Sequence, residues 1–190
     1  GQIPDLNETA SVTIAVQVED NASNLGISPT YTINVDTTPA GVPTLAGPAD
    51  DSWSTSLANT FSWSAESDLT SGLDTYELQI DNDNGFGSVD KSSVTKDIST
   101  DIVFDSQDTY YWRVRTQDVA GNYSDWSTVQ SVKVDTEAAS IPVLSSPADD
   151  SWSNSLTQVL DWVDATDNFS GVDYYELEVD QDAGYGSVDH

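Results

Sequence analysis

The chain has 190 residues, 33 acidic and 5 basic, for a formal charge of −28 at pH 7. So few cations exclude a nucleic-acid surface, and the lack of cysteine excludes both a disulfide framework and a thiolate metal site. No apolar run approaches the roughly 20 residues of a membrane-spanning helix, and 6 Trp, 8 Tyr and 4 Phe exclude an acidic disordered tail. The start has no charged and apolar leader pattern, so a signal peptide is expected outside this stretch. Aspartate supplies 26 of the 33 acids. Its short carboxylate favours turns over helix interiors. No segment keeps apolar spacing of helical period, so helix is expected to be nearly absent.

Self-comparison divides the chain before any strand is assigned. Val35-Asp36-Thr37 recurs as Val134-Asp135-Thr136, and Pro48-Ala49-Asp50-Asp51-Ser52-Trp53-Ser54 as Pro147-Ala148-Asp149-Asp150-Ser151-Trp152-Ser153. Tyr76-Glu77-Leu78 recurs as Tyr175-Glu176-Leu177, and the run from Gly85 to Asp90 recurs from Gly184, always 99 residues on. Residues 1–38 correspond to the last strands of a unit, 41–137 to one complete unit, and 140–190 to the first half of another. The stretches 36–40 and 135–139 read as short linkers. A half-sandwich leaves an open core and a free sheet edge. The terminal pieces are therefore expected to be completed by flanking sequence or, more boldly, head to tail by one another.

In chain order, the complete unit predicts a first strand near 43–47 and then the turn Pro48-Ala49-Asp50-Asp51. Phe61 and Trp63 alternate inward on a second strand. Tyr76, Leu78 and Ile80 face in on a third, with Glu77, Gln79 and Asp81 facing out. The run Asp81-Asn82-Asp83-Asn84-Gly85 suits a hairpin turn. Short strands follow near 87–94, 98–104, 110–115 and 129–134. Seven short strands separated by polar turns predict an antiparallel sandwich.

These residues resemble a known family. Trp63, Tyr76-Glu77-Leu78, the run Thr109 to Arg115 and the run Asp118 to Ser124 are similar to fibronectin type III and related prokaryotic immunoglobulin-like repeats. The stretch Val16 to Asn24 is similar as well, with Ser23 where the pattern usually has Gly. The resemblance implies an all-β fold, tandem immunoglobulin-like (fibronectin type III-like) β-sandwiches in a rod. It also implies a structural role, extracellular and at the cell surface: a surface-layer or filament component or an adhesin stalk, touching neighbouring repeats or identical subunits. The alternative it offers is an accessory carbohydrate-binding or spacer region of a secreted polysaccharide-degrading enzyme. Tyr110 is expected to be a tyrosine corner, pointing inward with Trp112 and Val114, while Tyr111, Arg113 and Arg115 face out. Trp53 and Trp152, each beside a turn, are the candidate members of a sugar-stacking platform, with edge packing the simpler reading.

No catalytic constellation emerges. The one histidine is terminal, cysteine is lacking, and acid pairs are too common to single out a dyad. The slice is expected to be non-enzymatic. For metal, Asp81-Asn82-Asp83-Asn84-Gly85 fails the EF-hand template, because the Gly falls one place early and Ser92 holds the twelfth position. Topology argues more strongly. The turns carrying Asp50, Asp51, Asp81, Asp83, Asp105 and Asp108, with Asp135 beside the linker, are expected at the pole facing the next unit's Asp164–Asp173 loop. Calcium bridging Asp81 and Asp83, Asp135 and Asp167 is the expected remedy for that crowding. A solvated acidic surface is the alternative. Of four N-glycosylation sequons, those at Asn122 and Asn168 fall on loops, where glycans are compatible.

Overall fold

A computed structural model describes residues 9–180. The second copy of the Gly85–Asp90 run, the first sequon at Asn7 and the terminal His190 lie outside the described residues. All regular structure among the described residues is strand. The chain divides into two units, Gly1–Thr136 and Glu137–His190, described separately below.

In the first unit, residues 45–134 form a complete sandwich. One sheet has the order β10–β7–β5, built from β5 (Leu45–Gly47), β7 (Ala58–Trp63) and β10 (Ser99–Val103). The other has the order β6–β12–β11–β8–β9, from β6 (Ser52–Ser54), β8 (Leu73–Asp81), β9 (Lys91–Thr95), β11 (Asp108–Asp118) and β12 (Gln130–Val134). All pairings are antiparallel except β6 with β12. That three-residue strand is the one sequence reading missed. The turn at Asp50 swings the chain from one sheet to the other, and the Asp50 carboxylate fixes the crossing by accepting the Ser131 amide at 2.8 Å.

The core lies between the sheets, as period-two alternation requires. Phe61, Trp63, Tyr76, Leu78, Ile80, Phe104, Tyr110, Trp112, Val114, Val132 and Val134 are buried in one cluster. The edge of Phe61 packs on Trp112 with ring centroids 5.1 Å apart, and Phe104 stacks on Tyr110 at 3.8 Å. Tyr110 is the tyrosine corner: its hydroxyl donates to the Ser106 carbonyl at 3.0 Å.

One residue departs from the alternation. Asp81, expected to face out, is fully buried at the end of β8. Its carboxylate oxygens accept the amides of Asp83 (3.0 Å) and Ser88 (3.3 Å), so the following turn folds over it. A turn needs its buried amides satisfied, and the strand's last carboxylate supplies the acceptor.

Residues 9–35 form two antiparallel strand pairs that correspond to the last strands of a sandwich. β1 (Thr9–Ile14) pairs antiparallel with β4 (Tyr31–Val35), and β2 (Gln17–Glu19) with β3 (Leu25–Ile27). Hydrogen bonds show the correspondence to β11. The Ser28 amide donates to the Val16 carbonyl at 2.9 Å, as Ser127 does to Val114 at 2.9 Å. The Asp20 carboxylate accepts the Asn24 amide, as Asp118 accepts that of Asn122. Ser23 adopts φ +67° where Gly121 has φ +95°, so the serine accepts the left-handed geometry of its glycine counterpart. Gly121→Ala is accordingly expected to cost the complete unit about 1 kcal/mol, since a Cβ is strained at positive φ. Urea unfolding of the variant against the parent measures it.

In the second unit, β13 (Val143–Ser146) pairs antiparallel with β14 (Asp161–Val163). Local geometry copies the complete sandwich. The Tyr175 hydroxyl accepts the Ala165 amide at 2.8 Å, as Tyr76 accepts that of Glu66 at 2.8 Å. Trp162 and Tyr175 lie 5.5 Å apart and Trp63 and Tyr76 5.6 Å.

Candidate functional site: an acidic cluster at one end of the sandwich

Three carboxylates meet in the first unit. Asp36 follows β4, Asp68 sits in the loop between β7 and β8, and Asp118 is the last residue of β11. One oxygen from each lies within 4.8 Å of the others, the only such group of three potential ligands among the described residues. Asp118 is buried and the other two are half-buried.

The local sequence builds each position. Asp118 continues the inward face of β11, past a register slip between Gln117 and Asp118. Its oxygens accept the Asn122 amide and the Asn122 side-chain Nδ2, both at 2.8 Å. That Nδ2 also donates to the Asp36 carbonyl at 3.1 Å, tying the incoming chain to the turn after β11. Asp68 Oδ1 gathers the amides of Thr70 (2.9 Å), Ser71 (2.7 Å) and Gly72 (2.9 Å), a loop that Gly72 closes at φ +88°. The Ser71 amide is shared with Asp36 Oδ2 at 3.0 Å. A solvent-open groove of about 290 Å³ runs beside Asp36, lined also by Val35, Ser71 and Val119.

Electrostatics sets this cluster apart. Like charges at this spacing repel one another, less where water reaches them. No basic side chain relieves it, because all five are engaged elsewhere. Lys91 pairs with Asp105, Lys96 with Asp74, Arg115 with Glu77 and Lys133 with Asp51, at 2.5 to 2.8 Å. Arg113 donates to Gln79 Oε1 at 2.8 Å. The donor set, all hard carboxylate oxygen, is the chemistry that Ca²⁺ takes.

The Gly72 amide, followed by those of Ser71 and Thr70, holds the Asp68 carboxyl below its ordinary value of 3.8 and offsets the penalty of burial. Asp167 repeats the loop, held low by the Gly171 and Phe169 amides, and Asp20 is held low by Asn24. A depressed folded-state pKa contributes stability that is complete above the unfolded value and is lost as pH falls through the folded one. Asp68→Asn is therefore expected to flatten the loss of stability below about pH 4. Urea midpoints of variant and parent across that window check it.

The expected ligands fall in two groups. Asp81 and Asp83 belong to the β8–β9 turn, where Asp81 holds the amides described above and Asp83 accepts the Gly85 amide at 3.1 Å. Asp135 and Asp167 are the 99-residue counterparts of Asp36 and Asp68, two members of the observed cluster. Asp118 was missed because its partners in the cluster stand 82 and 50 positions away. Nor does the expected acidic pole stand without cations, since Lys91 and Lys133 reach Asp105 and Asp51 there.

Of the glycosylation candidates, Asn168 is exposed. Asn122 is half-buried, and its Nδ2 makes the two contacts given above, which a glycan would disturb.

A second surface feature went unrecognised in the sequence. Trp126 lies between the guanidiniums of Arg113 (4.3 Å) and Arg115 (4.5 Å), which also cover Phe86 and Tyr123, each at 4.0 Å. Burial, and then the neighbouring Arg115, lowers the Arg113 pKa. The hydroxyls of Ser124 and Ser127 accept the amides of Thr116 and Val114, both at 3.0 Å, pinning this stretch along β11. The usable signal was Tyr123-Ser124-Asp125-Trp126-Ser127 beside two arginines spaced by two. Cation–π stacking thus places both guanidiniums against these rings on one face of the sheet. Trp53, by contrast, is half-exposed on the short β6 with Lys133 5.2 Å from its ring centroid, and Trp152 is fully exposed.

Residues 55–136 match the family described as Rha78A-like, N-terminal immunoglobulin domain. No curated protein matches the chain. Among solved structures, an alpha-L-rhamnosidase of Streptomyces avermitilis complexed with L-rhamnose is similar at 16% identity and a TM-score of 0.40. That similarity covers 58% of this chain and 12% of that one, so the chain spans about an eighth of the enzyme's length. The two-sheet packing, the tyrosine corner and the family match together make the complete sandwich of the first unit an immunoglobulin-like domain.

Proposed function

We propose that this chain is a non-catalytic accessory and spacer region of a longer secreted glycoside hydrolase, of the rhamnosidase-like kind. The match of residues 55–136 to an N-terminal immunoglobulin domain of that family carries the reading. Such a domain would space and orient a catalytic domain supplied elsewhere in the longer protein. A second reading, a stalk of tandem sandwiches in a surface protein, is favoured by the 99-residue repeat itself. An antibody raised against the 190-residue chain separates the two. The hydrolase reading expects it to deplete aryl-glycoside-cleaving activity, tested first on an aryl α-L-rhamnoside, from the producing organism's culture medium. Undiminished activity, with the antigen recovered in the cell-envelope fraction, would overturn it in favour of the stalk.

The calcium expectation carries over to Asp36, Asp68 and Asp118 as a proposal within this function. An ion there would tie the segment after β4 to the loops of the complete sandwich and so stiffen the chain where it enters that domain.

A further inference from the structure

The hairpin tip after β8 carries the chain's one Asn-Gly step. Ten asparagines occur in the sequence, and only Asn84 precedes a glycine. Asn84 and Gly85 are exposed and lie outside every strand, between β8 and β9. Asn24, Asn59, Asn82 and Asn122 each commit the side-chain nitrogen to a hydrogen bond. The Asn84 carboxamide makes none among the described residues, so it is free to turn toward the backbone. Glycine at the next position puts no Cβ in the way of its own amide nitrogen, and it lets the local backbone rotate into reach. The second copy reads Asp182-Ala183-Gly184 in place of Asp83-Asn84-Gly85, so only the first copy carries the pair.

We propose that Asn84 is a site of spontaneous deamidation, an ageing mark on the complete domain, with water as the only co-reactant. The Gly85 amide nitrogen bonds to Asn84 Cγ and the bond from Cγ to Nδ2 breaks. Nδ2 leaves as ammonia with the proton that the Gly85 nitrogen gives up. Water then opens the cyclic imide at either carbonyl, giving aspartate or isoaspartate. The structure also supplies a brake. The Gly85 N–H donates to Asp83 Oδ1 at 3.1 Å, and the Phe86 N–H donates to the Asp83 carbonyl at 3.0 Å. The Gly85 nitrogen must shed that proton, and the adjacent carboxylate both holds it and disfavours the negative charge left behind. The reaction therefore waits on openings of the turn, which leave the β8–β9 ladder in place. Both products add a carboxylate to a turn that already holds Asp81, Asp83 and Asp90. Isoaspartate also lengthens the main chain by one carbon between the Asp83 carbonyl and the Phe86 amide. That displaces the Phe86 ring, whose centroid lies 4.0 Å from the Arg113 guanidinium.

Mass spectrometry of proteolytic peptides, taken after the full chain has been held folded in mildly alkaline buffer, tests this. Asn84 is expected to convert about tenfold faster than any other asparagine, a barrier difference of about 1.4 kcal/mol. Isoaspartate should appear alongside aspartate. Gly85→Ala is expected to slow conversion by a similar factor. The turn tolerates it, because Gly85 is not at positive φ and the added Cβ meets first the Asp83 carboxylate, at 3.3 Å, the end of a flexible side chain. Asp83→Ala is expected to speed conversion severalfold, and the parent unfolded in urea should outpace the folded parent. Circular dichroism and melting of each fresh variant report that the domain is folded. Conversion at Asn84 no faster than at the other asparagines overturns the proposal. So does aspartate without isoaspartate, which marks direct hydrolysis, or a Gly85→Ala variant that reacts like the parent. A rate unchanged or lowered in Asp83→Ala overturns the brake.

Discussion

Trp112→Ala is expected to cost the complete domain about 3–5 kcal/mol, a large part of the roughly 5–15 kcal/mol that holds such a domain folded. The side chain is fully buried between the sheets and meets Phe61 edge-on. Removing it leaves a cavity that two rigid sheets cannot close. Trp112→Phe should be much milder. It keeps a ring against Phe61 and removes an indole N–H that is buried without a hydrogen-bond partner. The repeat supplies an internal control: Leu78→Ala should cost about 2–5 kcal/mol, whereas Leu177→Ala, on a half-exposed counterpart, should barely move the transition of the monomer. Urea titrations followed by circular dichroism measure all four. Equal losses for Leu78→Ala and Leu177→Ala would contradict the exposure difference between the two units.

Calcium is expected to give the second large effect, if the proposed ion binds at Asp36, Asp68 and Asp118. An ion at a hundred times its dissociation constant stabilises the folded state by about 2.7 kcal/mol, and each kcal/mol moves the melting point of a domain of this size by roughly 4–8 °C. Melting of the full chain is therefore expected to rise by about 10 °C or more in saturating Ca²⁺ relative to chelator. Sodium at matched ionic strength, which only screens charge, should give a fraction of that. Asp36→Asn should abolish most of the calcium-specific part. Asp83→Asn should leave it in place, because Asp83 belongs to the β8–β9 turn. Coincident curves in calcium, chelator and sodium would reduce the cluster to a hydrated acidic surface.

Much of the fold was legible because it rests on local chemistry. Alternation placed Phe61, Trp63, Tyr76, Leu78, Ile80, Tyr110, Trp112 and Val114 inward, and all eight are buried. Ser23 was legible as a glycine substitute, and it takes the positive φ. Candidate sites were less legible, since carboxylates outnumber every other polar signal and a ligand set is defined by distance. Asp36, Asp68 and Asp118 come together only once the turn after β11 and the β7–β8 loop pack against the end of β4.

The repeat separates the two kinds of information most sharply. Tyr76-Glu77-Leu78 and Tyr175-Glu176-Leu177 are identical in sequence, and in both the tyrosine hydroxyl accepts the amide ten residues upstream. That much the sequence determined by itself, because a loop hydrogen bond and an aromatic contact need only near neighbours in the chain. Only the first triplet lies in a regular strand and buries its tyrosine and leucine. Tertiary structure decided that difference, because burial and the β-ladder are made by the strands alongside. β11 and β9 flank the first triplet, and among the described residues no strand pairs with the second.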